Sequence, residues 1–232
     1  AEQVTIEEAF IELFDVSGDG RRILFSSDRS GNQDIWSMRL GSEPIRVTND
    51  PAPEWAPALS PDERQIAFYS SRSGDREIWV MPADGGAARQ LTSSKGLDAG
   101  TGWSPDSSEV AFRSERLGSS DVWVMKADGS DPQVLAPDPA ADYSPDFSPD
   151  GRWLAFWSNR GGVHQIWRVP RAGGEPEPLA PGFGPPTWSR DGAHVFFFRT
   201  TEGSSNLWAA SVITRLARPL TRLIGRRGTL ST

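Results

Sequence analysis

Carboxylates recur at equivalent positions of this sequence, which suggests a shared role. Glu54, Asp98 and Asp142 each stand six residues before a serine that recurs along the chain. Asp15 and Asp146 stand two residues before serines of the same series. Gathered at one opening, such groups would form a negative site for a cationic peptide segment, an N-terminal amine or a metal ion. The alternative is that each one caps its own loop. We expect Glu54, Asp98, Asp142 and Asp146 to contact a protein or peptide partner.

The other chemistry-bearing residues form no catalytic motif. The two histidines, His164 and His194, lack metal-ligand spacing, and the chain has no cysteine. Neither a Gly-x-Ser-x-Gly nucleophile elbow nor a phosphate-binding loop nor a dinucleotide fingerprint occurs. We therefore predict no catalytic residue, no metal and no cofactor. The net charge of −7 disfavours a nucleic-acid partner, and no apolar run is long enough for direct membrane insertion.

The elements that would position the carboxylates come from an internal repeat. The recurring serines are Ser17, Ser60, Ser104, Ser148 and Ser189. Each is followed at fixed offsets by a phenylalanine, a glycine and a tryptophan. Every copy contains four short strand-like stretches joined by turn residues, as in Ile66–Phe68 and Glu77–Trp79 for the second and third strands. Four strands in every 40 to 45 residues are typical of a β-propeller blade.

The sequence thus predicts an all-β fold, a β-propeller with five recognisable four-stranded blades and a possible partial sixth. We expect a single domain over 1–232, with blades at about 10–48, 53–92, 97–135, 141–180 and 183–221. The ends, 1–8 and 222–232, would supply closing strands or a partial blade. An incompletely closed ring would expose strand edges and would favour self-association.

Further recurring side chains have structural interpretations. The aspartate two residues after each serine would accept backbone N–H bonds in an Asx turn. Each third-strand tryptophan would pack between blades with its N–H bonded to a polar neighbour. Small first-strand residues such as Ala56, Gly100 and Ser144 fit the taper of blades toward a central axis. An arginine between the second and third strands would bridge to a carboxylate of the adjacent blade, remain solvated, or join a ligand-binding row. These arginines are Arg29, Arg72, Arg116 and Arg160.

The repeat resembles that of a known family. Ser-Pro-Asp-Gly, Ile-Ala-Phe, Ser-x-Arg-x-Gly and Asp-Ile-Trp-Val-Met look like the WD-like repeat of the TolB propeller domain. Related repeats occur in the propellers of tricorn protease and of prolyl-oligopeptidase-type enzymes, and the resemblance covers about residues 10–221. It implies that the tunnel face receives a segment of a partner protein. Related propeller lyases use a histidine-rich metal site, which two histidines do not supply.

Three functions are compatible with this resemblance. The first is a non-catalytic binding or scaffold propeller that recognises a protein or peptide at its tunnel face. The second is the gating propeller of a serine hydrolase or peptidase whose catalytic domain lies outside this chain. The third is the extracytoplasmic sensor domain of a membrane-anchored regulator or kinase. We expect a periplasmic or otherwise extracytoplasmic location, although the sequence leaves the cytoplasm open.

Overall fold

A computed structural model describes residues 11–201 and 203–221, without the side chains of Glu12 and Leu13. This part of the chain forms five antiparallel sheets, each made of four strands that are consecutive in the chain. The all-β propeller with five four-stranded blades that the repeat predicts is confirmed. The predicted closing strands or partial sixth blade, at 1–8 and 222–232, lie outside the described residues.

The five sheets, which are the blades, contain twenty strands in the described residues. Blades one and two contain β1 (Ile11–Val16), β2 (Arg22–Ser27), β3 (Asp34–Arg39), β4 (Ile45–Arg46), β5 (Glu54–Leu59), β6 (Gln65–Ser70), β7 (Glu77–Pro82) and β8 (Arg89–Gln90). Blades three and four contain β9 (Asp98–Trp103), β10 (Glu109–Ser114), β11 (Asp121–Lys126), β12 (Gln133–Val134), β13 (Asp142–Phe147), β14 (Trp153–Ser158), β15 (Gln165–Pro170) and β16 (Glu177–Pro181). Blade five contains β17 (Phe183–Trp188), β18 (His194–Thr201), β19 (Ser204–Ser211) and β20 (Ala217–Pro219).

A side-chain network closes the turn between the first and second strands of every blade. Ser148 Oγ donates to Asp150 Oδ1 at 2.6 Å and accepts a bond from the Trp153 N–H at 3.0 Å. The Asp150 carboxylate also accepts a bond from the Arg152 N–H at 3.1 Å. The same Ser–Asp bond occurs in the other four blades, at Ser17–Asp19, Ser60–Asp62, Ser104–Asp106 and Ser189–Asp191. The aspartates are therefore turn-forming residues, as the sequence predicts.

Neighbouring blades pack face to face through apolar side chains. Ile78 and Val80 of blade two belong to one buried cluster with Trp103 and Phe112 of blade three. Similar clusters join blades one and two, three and four, and four and five. Because the sheets of blades two, three and four each bury both faces in this way, their hairpins gain the apolar burial that an isolated hairpin lacks.

The arginine between the second and third strands lies over aromatic rings of its own blade. The Arg116 guanidinium carbon is 5.4 Å from the Phe112 ring centroid and 4.5 Å from that of Trp123. Three other blades repeat this stack with Arg29, Arg72 and Arg160. In blade five the arginine comes from the second strand instead, where Arg199 lies 4.7 Å from the Trp208 ring. A cation over an aromatic face is favourable, and more so when water is excluded.

The hydrogen bonds expected for the repeated tryptophans are absent from the described part of the chain. The indole N–H groups of Trp36, Trp79, Trp123, Trp167 and Trp208 have no hydrogen-bond partner there. The expectation was wrong on this point, because the rings are held by arginine stacking and packing between blades.

The first strands of consecutive blades contact one another around the axis: β1 lies beside β5, β5 beside β9, β9 beside β13 and β13 beside β17. Blade five also reaches blade one, because Arg190 donates a hydrogen bond to the Gly18 carbonyl. The five first strands therefore line one axial cavity, which we call the tunnel.

Candidate functional site

The tunnel contains a cavity of about 460 Å³ whose wall comes mainly from the five first strands. Segments 56–59, 99–103, 144–146 and 185–187 supply most of this wall, and blade one adds Phe14 and Asp15. Tyr69 and Arg113, from the second strands of blades two and three, complete it. The cavity thus joins the small residues of the axis to larger side chains near the end where the first strands begin.

A bulge in each first strand shapes this wall. The pairing of β5 with β6 shifts between Trp55 and Ala58, and the other first strands show a similar irregularity. Ala56 and Ser144 lie in the bulges with φ of 48° and 50°, and Gly100 has φ of 68°. These left-handed conformations disfavour large or β-branched side chains. Small residues in the first strands are therefore explained by backbone conformation as well as by blade taper.

Two carboxylates lie in the tunnel wall, and each bridges two blades. Asp15 of blade one accepts a bond from the Leu59 N–H of blade two at 2.8 Å. Asp146 of blade four accepts one from the Trp188 N–H of blade five at 3.1 Å. Burial raises the pKa of Asp15, and it raises the pKa of Asp146 to about 7, with a further contribution from the Asp15 charge. The structure thus places Asp146 at the tunnel, where the sequence predicts it.

The other three predicted site residues have no exposed surface. Glu54, Asp98 and Asp142 are fully buried at the first position of β5, β9 and β13. They lie inside their blades and are not among the residues that line the cavity. The expected row of accessible acids at the tunnel mouth is therefore not what the geometry shows, and direct contact of these three with a partner stays a prediction.

Each of the three buried acids is ion-paired with an arginine of the same blade. Arg116 donates to Asp98 at 2.8 Å and Arg160 to Asp142 at 2.5 Å. Arg72 pairs with Glu54 in the same manner. The structure therefore shows ion pairs within a blade, which differ from all three alternatives that the sequence leaves open for these arginines. Antiparallel pairing sets the start of the first strand opposite the end of the second, so the turn that follows returns over the acid of its own blade.

Two of these ion pairs, Asp98–Arg116 and Asp142–Arg160, each have a second buried acid of the preceding blade nearby. The pKa of Glu77 is raised to about 7, mainly by burial and in part by the charge of Asp98 in blade three. Burial likewise raises the pKa of Asp142 to about 7, opposed by Arg160 and supported by the Asp121 charge. These two blade junctions therefore hold more carboxyl groups than arginines, and burial favours the protonated forms of Glu77 and Asp142.

The partly exposed residues around the tunnel opening are aromatic and cationic. Trp55 and Tyr69 stack with ring centroids 5.4 Å apart, and Tyr143 and Trp157 stack at 4.4 Å. The Arg76 guanidinium lies 4.8 Å from the Trp55 ring, and that of Arg113 lies 5.3 Å from the Tyr143 ring. His164 lies at 5.3 Å from Trp157. We call the following six residues the rim: Trp55, Tyr69, Arg76, Arg113, Tyr143 and Trp157.

The described residues contain no group of three or more His, Asp or Glu side chains placed to hold a metal ion. His164 directly precedes β15 in blade four, and His194 is the first residue of β18 in blade five. Within the same described ranges, no helix is long and apolar enough to cross a membrane.

Comparison with known families decides what kind of propeller this is. The family model described as TolB beta propeller domain matches residues 93–222, more than half of the chain. The chain belongs to the TolB β-propeller domain family. A second family model, the Tricorn protease N-terminal beta propeller domain, matches residues 33–120 of this TolB-type propeller.

Individual relatives agree with this assignment over part of their length. The Tol-Pal system protein TolB of Anaeromyxobacter dehalogenans strain 2CP-C is 34% identical over 85 residues, which is 37% of this chain and 20% of that protein. The protein of the same name from strain 2CP-1 matches equally well. The matched region therefore spans a fifth of the length of these curated relatives.

Solved structures of TolB share the fold. The putative TolB from Agrobacterium tumefaciens superposes with a TM-score of 0.81 at 24% identity, covering 94% of this chain and 83% of that one. TolB from Acinetobacter baumannii gives a TM-score of 0.82 at 20% identity, covering 92% and 55%. At these identities the likeness shows the fold alone.

Sequence reasoning about this TolB-type propeller missed the rim. The available signal was the residue nine positions after each recurring serine, which is large in four copies, at Tyr69, Arg113, Trp157 and Phe198. The pattern of carboxylates does not point to these residues, whereas the structure buries three of the four predicted acids and leaves the rim accessible.

Proposed function

We propose that this chain is a non-catalytic binding propeller that receives a peptide segment of a partner protein at its tunnel face. The observation that carries the proposal is the axial cavity of about 460 Å³, whose lining includes Tyr69 and Arg113 of the rim. Aromatic and arginine side chains that stay partly exposed are the residue types that dominate binding energy at protein interfaces. Membership of the TolB propeller family supports the same function.

The predicted site residues take different parts in this proposal. Asp146 lies in the tunnel wall and is placed to meet a segment that enters the cavity. Glu54, Asp98 and Asp142 hold the starts of their first strands through ion pairs with the turn arginines. They act on binding indirectly, by fixing the neighbouring rim residues Trp55 and Tyr143, which follow Glu54 and Asp142 in the sequence.

We further propose an extracytoplasmic, periplasmic location. It rests on the family assignment and on the likeness to proteins named as parts of a Tol-Pal system. Fractionation of the native source with an antibody against this chain tests it, and recovery in the cytoplasmic fraction contradicts it.

Selection from a displayed library of random peptides tests the proposed function. Arg113→Ala removes a rim cation that lines the cavity, whereas Arg152→Ala removes an exposed arginine in a turn at the opposite end of the blades. Peptides selected on the wild-type chain are expected to bind Arg113→Ala about tenfold more weakly and Arg152→Ala equally well. Equal loss in both variants, or in neither, contradicts a site at the tunnel face.

A second candidate is a gating propeller for a peptidase, and one observation favours it. The match to the tricorn protease N-terminal propeller covers residues 33–120. This function requires a catalytic domain outside the chain. A neighbouring reading frame with a nucleophile elbow, whose product co-purifies with this chain, would favour gating over the binding function.

A further inference from the structure

We propose that the segment received at the tunnel face is anionic, a peptide rich in Asp or Glu with flanking aromatic side chains. This inference rests on the proposed function and adds the chemistry of the partner. It reverses the sign of the charge expected from the sequence, where a negative opening would take a cationic segment.

The acids that would make the opening negative are withdrawn from it. Glu54, Asp98 and Asp142 have no exposed surface, and each is paired with an arginine. Asp15 and Asp146 lie in the tunnel wall, and burial raises the pKa of both carboxyl groups. The pKa of Asp146 is about 7, so part of its population is neutral at neutral pH. A ligand at the opening therefore meets little of the negative charge that the sequence places there.

Two accessible cations, by contrast, lie at this end of the blades. Arg76 is exposed and lies over Trp55, and it has no ion-pair partner among the described residues although Asp75 precedes it. Arg113 lines the cavity, and its guanidinium contacts the Glu115 carboxylate at 3.4 Å. Because Glu115 is well exposed, this pair is of the surface kind that contributes little, and a ligand carboxylate can replace it.

The aromatic rings flank these cations and define the second feature of the partner. The Trp55–Tyr69 pair belongs to blade two, the Tyr143–Trp157 pair belongs to blade four, and Arg113 of blade three lines the cavity together with Tyr69. An arginine held over a ring keeps its donor fork ordered, which favours bidentate contact with a carboxylate. The ring faces beside it offer stacking surface to aromatic side chains of the same segment.

A peptide fits these features better than a nucleic acid. Arginine and aromatic side chains also form single-strand nucleic-acid sites, but those sites lie in grooves that are positive along the whole backbone path. Here the net charge of the chain is −7, and Glu115 and Asp75 lie beside the two rim arginines. Two localised cations match a few carboxylates more closely than they match a phosphate chain.

Three probes of equal length that differ in charge test the inference. They are short, fluorescein-labelled, N-acetylated and C-amidated peptides in which tryptophan alternates with glutamate, lysine or serine, and fluorescence anisotropy reports their binding. The glutamate probe is expected to bind about tenfold tighter than the serine probe, and the lysine probe more weakly than both. Added salt weakens the glutamate probe most.

Variants assign the effect to the rim. Arg113→Glu is expected to abolish the preference for the glutamate probe, Glu115→Gln to strengthen its binding, and Arg152→Glu at the opposite end to leave it unchanged. If the lysine probe binds tightest, or if all three bind alike, the anionic assignment is overturned while peptide binding at the tunnel face stands. If no probe binds, this inference is overturned, and the library selection decides whether the proposed function falls with it. A single-stranded oligothymidine that displaces the glutamate probe from the rim overturns the assignment to a peptide.

Discussion

The pKa values of aspartates in this propeller are shifted in opposite directions by their surroundings. The bond from Ser148 and those from Arg152 hold the pKa of Asp150 at about 2. Burial in the tunnel wall raises the pKa of Asp146 to about 7, although the Trp188 N–H bonds to its carboxylate. The two residues are four positions apart in the sequence. Hydrogen bonds to the charged form lower the pKa of a carboxyl group, and loss of water raises it. The stronger of the two effects sets the direction of each shift.

The raised pKa of Asp146 predicts a pH-dependent loss of stability. Because the folded-state value of about 7 exceeds the ordinary value near 4, the contribution of Asp146 is fully present below about pH 4 and is lost as pH rises through 7. Asp146→Asn keeps the oxygen acceptor for Trp188 and removes this titration. We expect the variant to lose less unfolding free energy than wild type between pH 5 and pH 8, by on the order of 1 kcal/mol, in urea unfolding.

Asp150→Asn is the matched control for this experiment. The pKa of Asp150 lies at about 2, so its charge does not change between pH 5 and pH 8. Its destabilisation should therefore be the same at both pH values. A parallel pH response of wild type and Asp146→Asn would show that Asp146 is not the titrating group.

At the scale of elements, a buried ion pair fixes the start of each first strand in blades two to four. In blade three, Asp98 accepts bonds from Arg116 and, at 3.2 Å, from Ser94. Arg116 in turn lies over Trp123, and Glu77 of the preceding blade interacts with both Asp98 and Arg116. The unit thus links a strand start, a turn and the neighbouring blade.

Removing one partner of this pair should cost much more than removing both. Arg116→Met leaves the Asp98 charge buried beside Glu77, and we expect a loss of about 3–5 kcal/mol in unfolding free energy. The double variant Arg116→Met with Asp98→Asn should recover most of that loss, because the unpaired Asp98 charge is no longer present beside Glu77. Urea unfolding of both single variants and the double variant measures the coupling, and additive losses would contradict it.

The folded double variant also tests the predicted partner contact of Asp98. If the acid is a structural group, peptides selected on the wild-type chain should bind the double variant with unchanged affinity. Loss of binding in a folded double variant would support the direct contact that the sequence predicts for Asp98.

The hairpins and the tunnel wall differ in how far the sequence predicts them. Turn residues and strand patterning are local signals, so blade borders and the Ser–Asp turns follow from the repeat. The rim depends on which residue faces which across β5 and β6, and the bulge between Trp55 and Ala58 changes that register. The pairing of Asp98 with its own blade's Arg116 likewise depends on how the turn returns over the strand start. Neither spacing nor residue type contains this information.

At the scale of the whole molecule, five similar blades produce two unlike ends. At one end the first strands begin and the rim borders the cavity. At the other end the Ser–Asp turns form a polar ring around the same axis, as at Ser148 and Ser189. Repetition alone predicts the fold and the existence of a tunnel. Departures from the repeat give one end its binding chemistry, as at Arg113, where three of the other four blades have an aromatic residue at the equivalent position.

Site-specific photo-crosslinking in an extract of the native source tests whether a partner protein binds at the tunnel face. The photoreactive residue p-benzoylphenylalanine replaces Tyr143 in the rim or, as control, Trp153 at the opposite end of the same blade. We expect a covalent adduct with a partner protein from position 143 and none from position 153. An adduct from position 153 alone, equal adducts from both, or none from position 143 would contradict binding at the tunnel face.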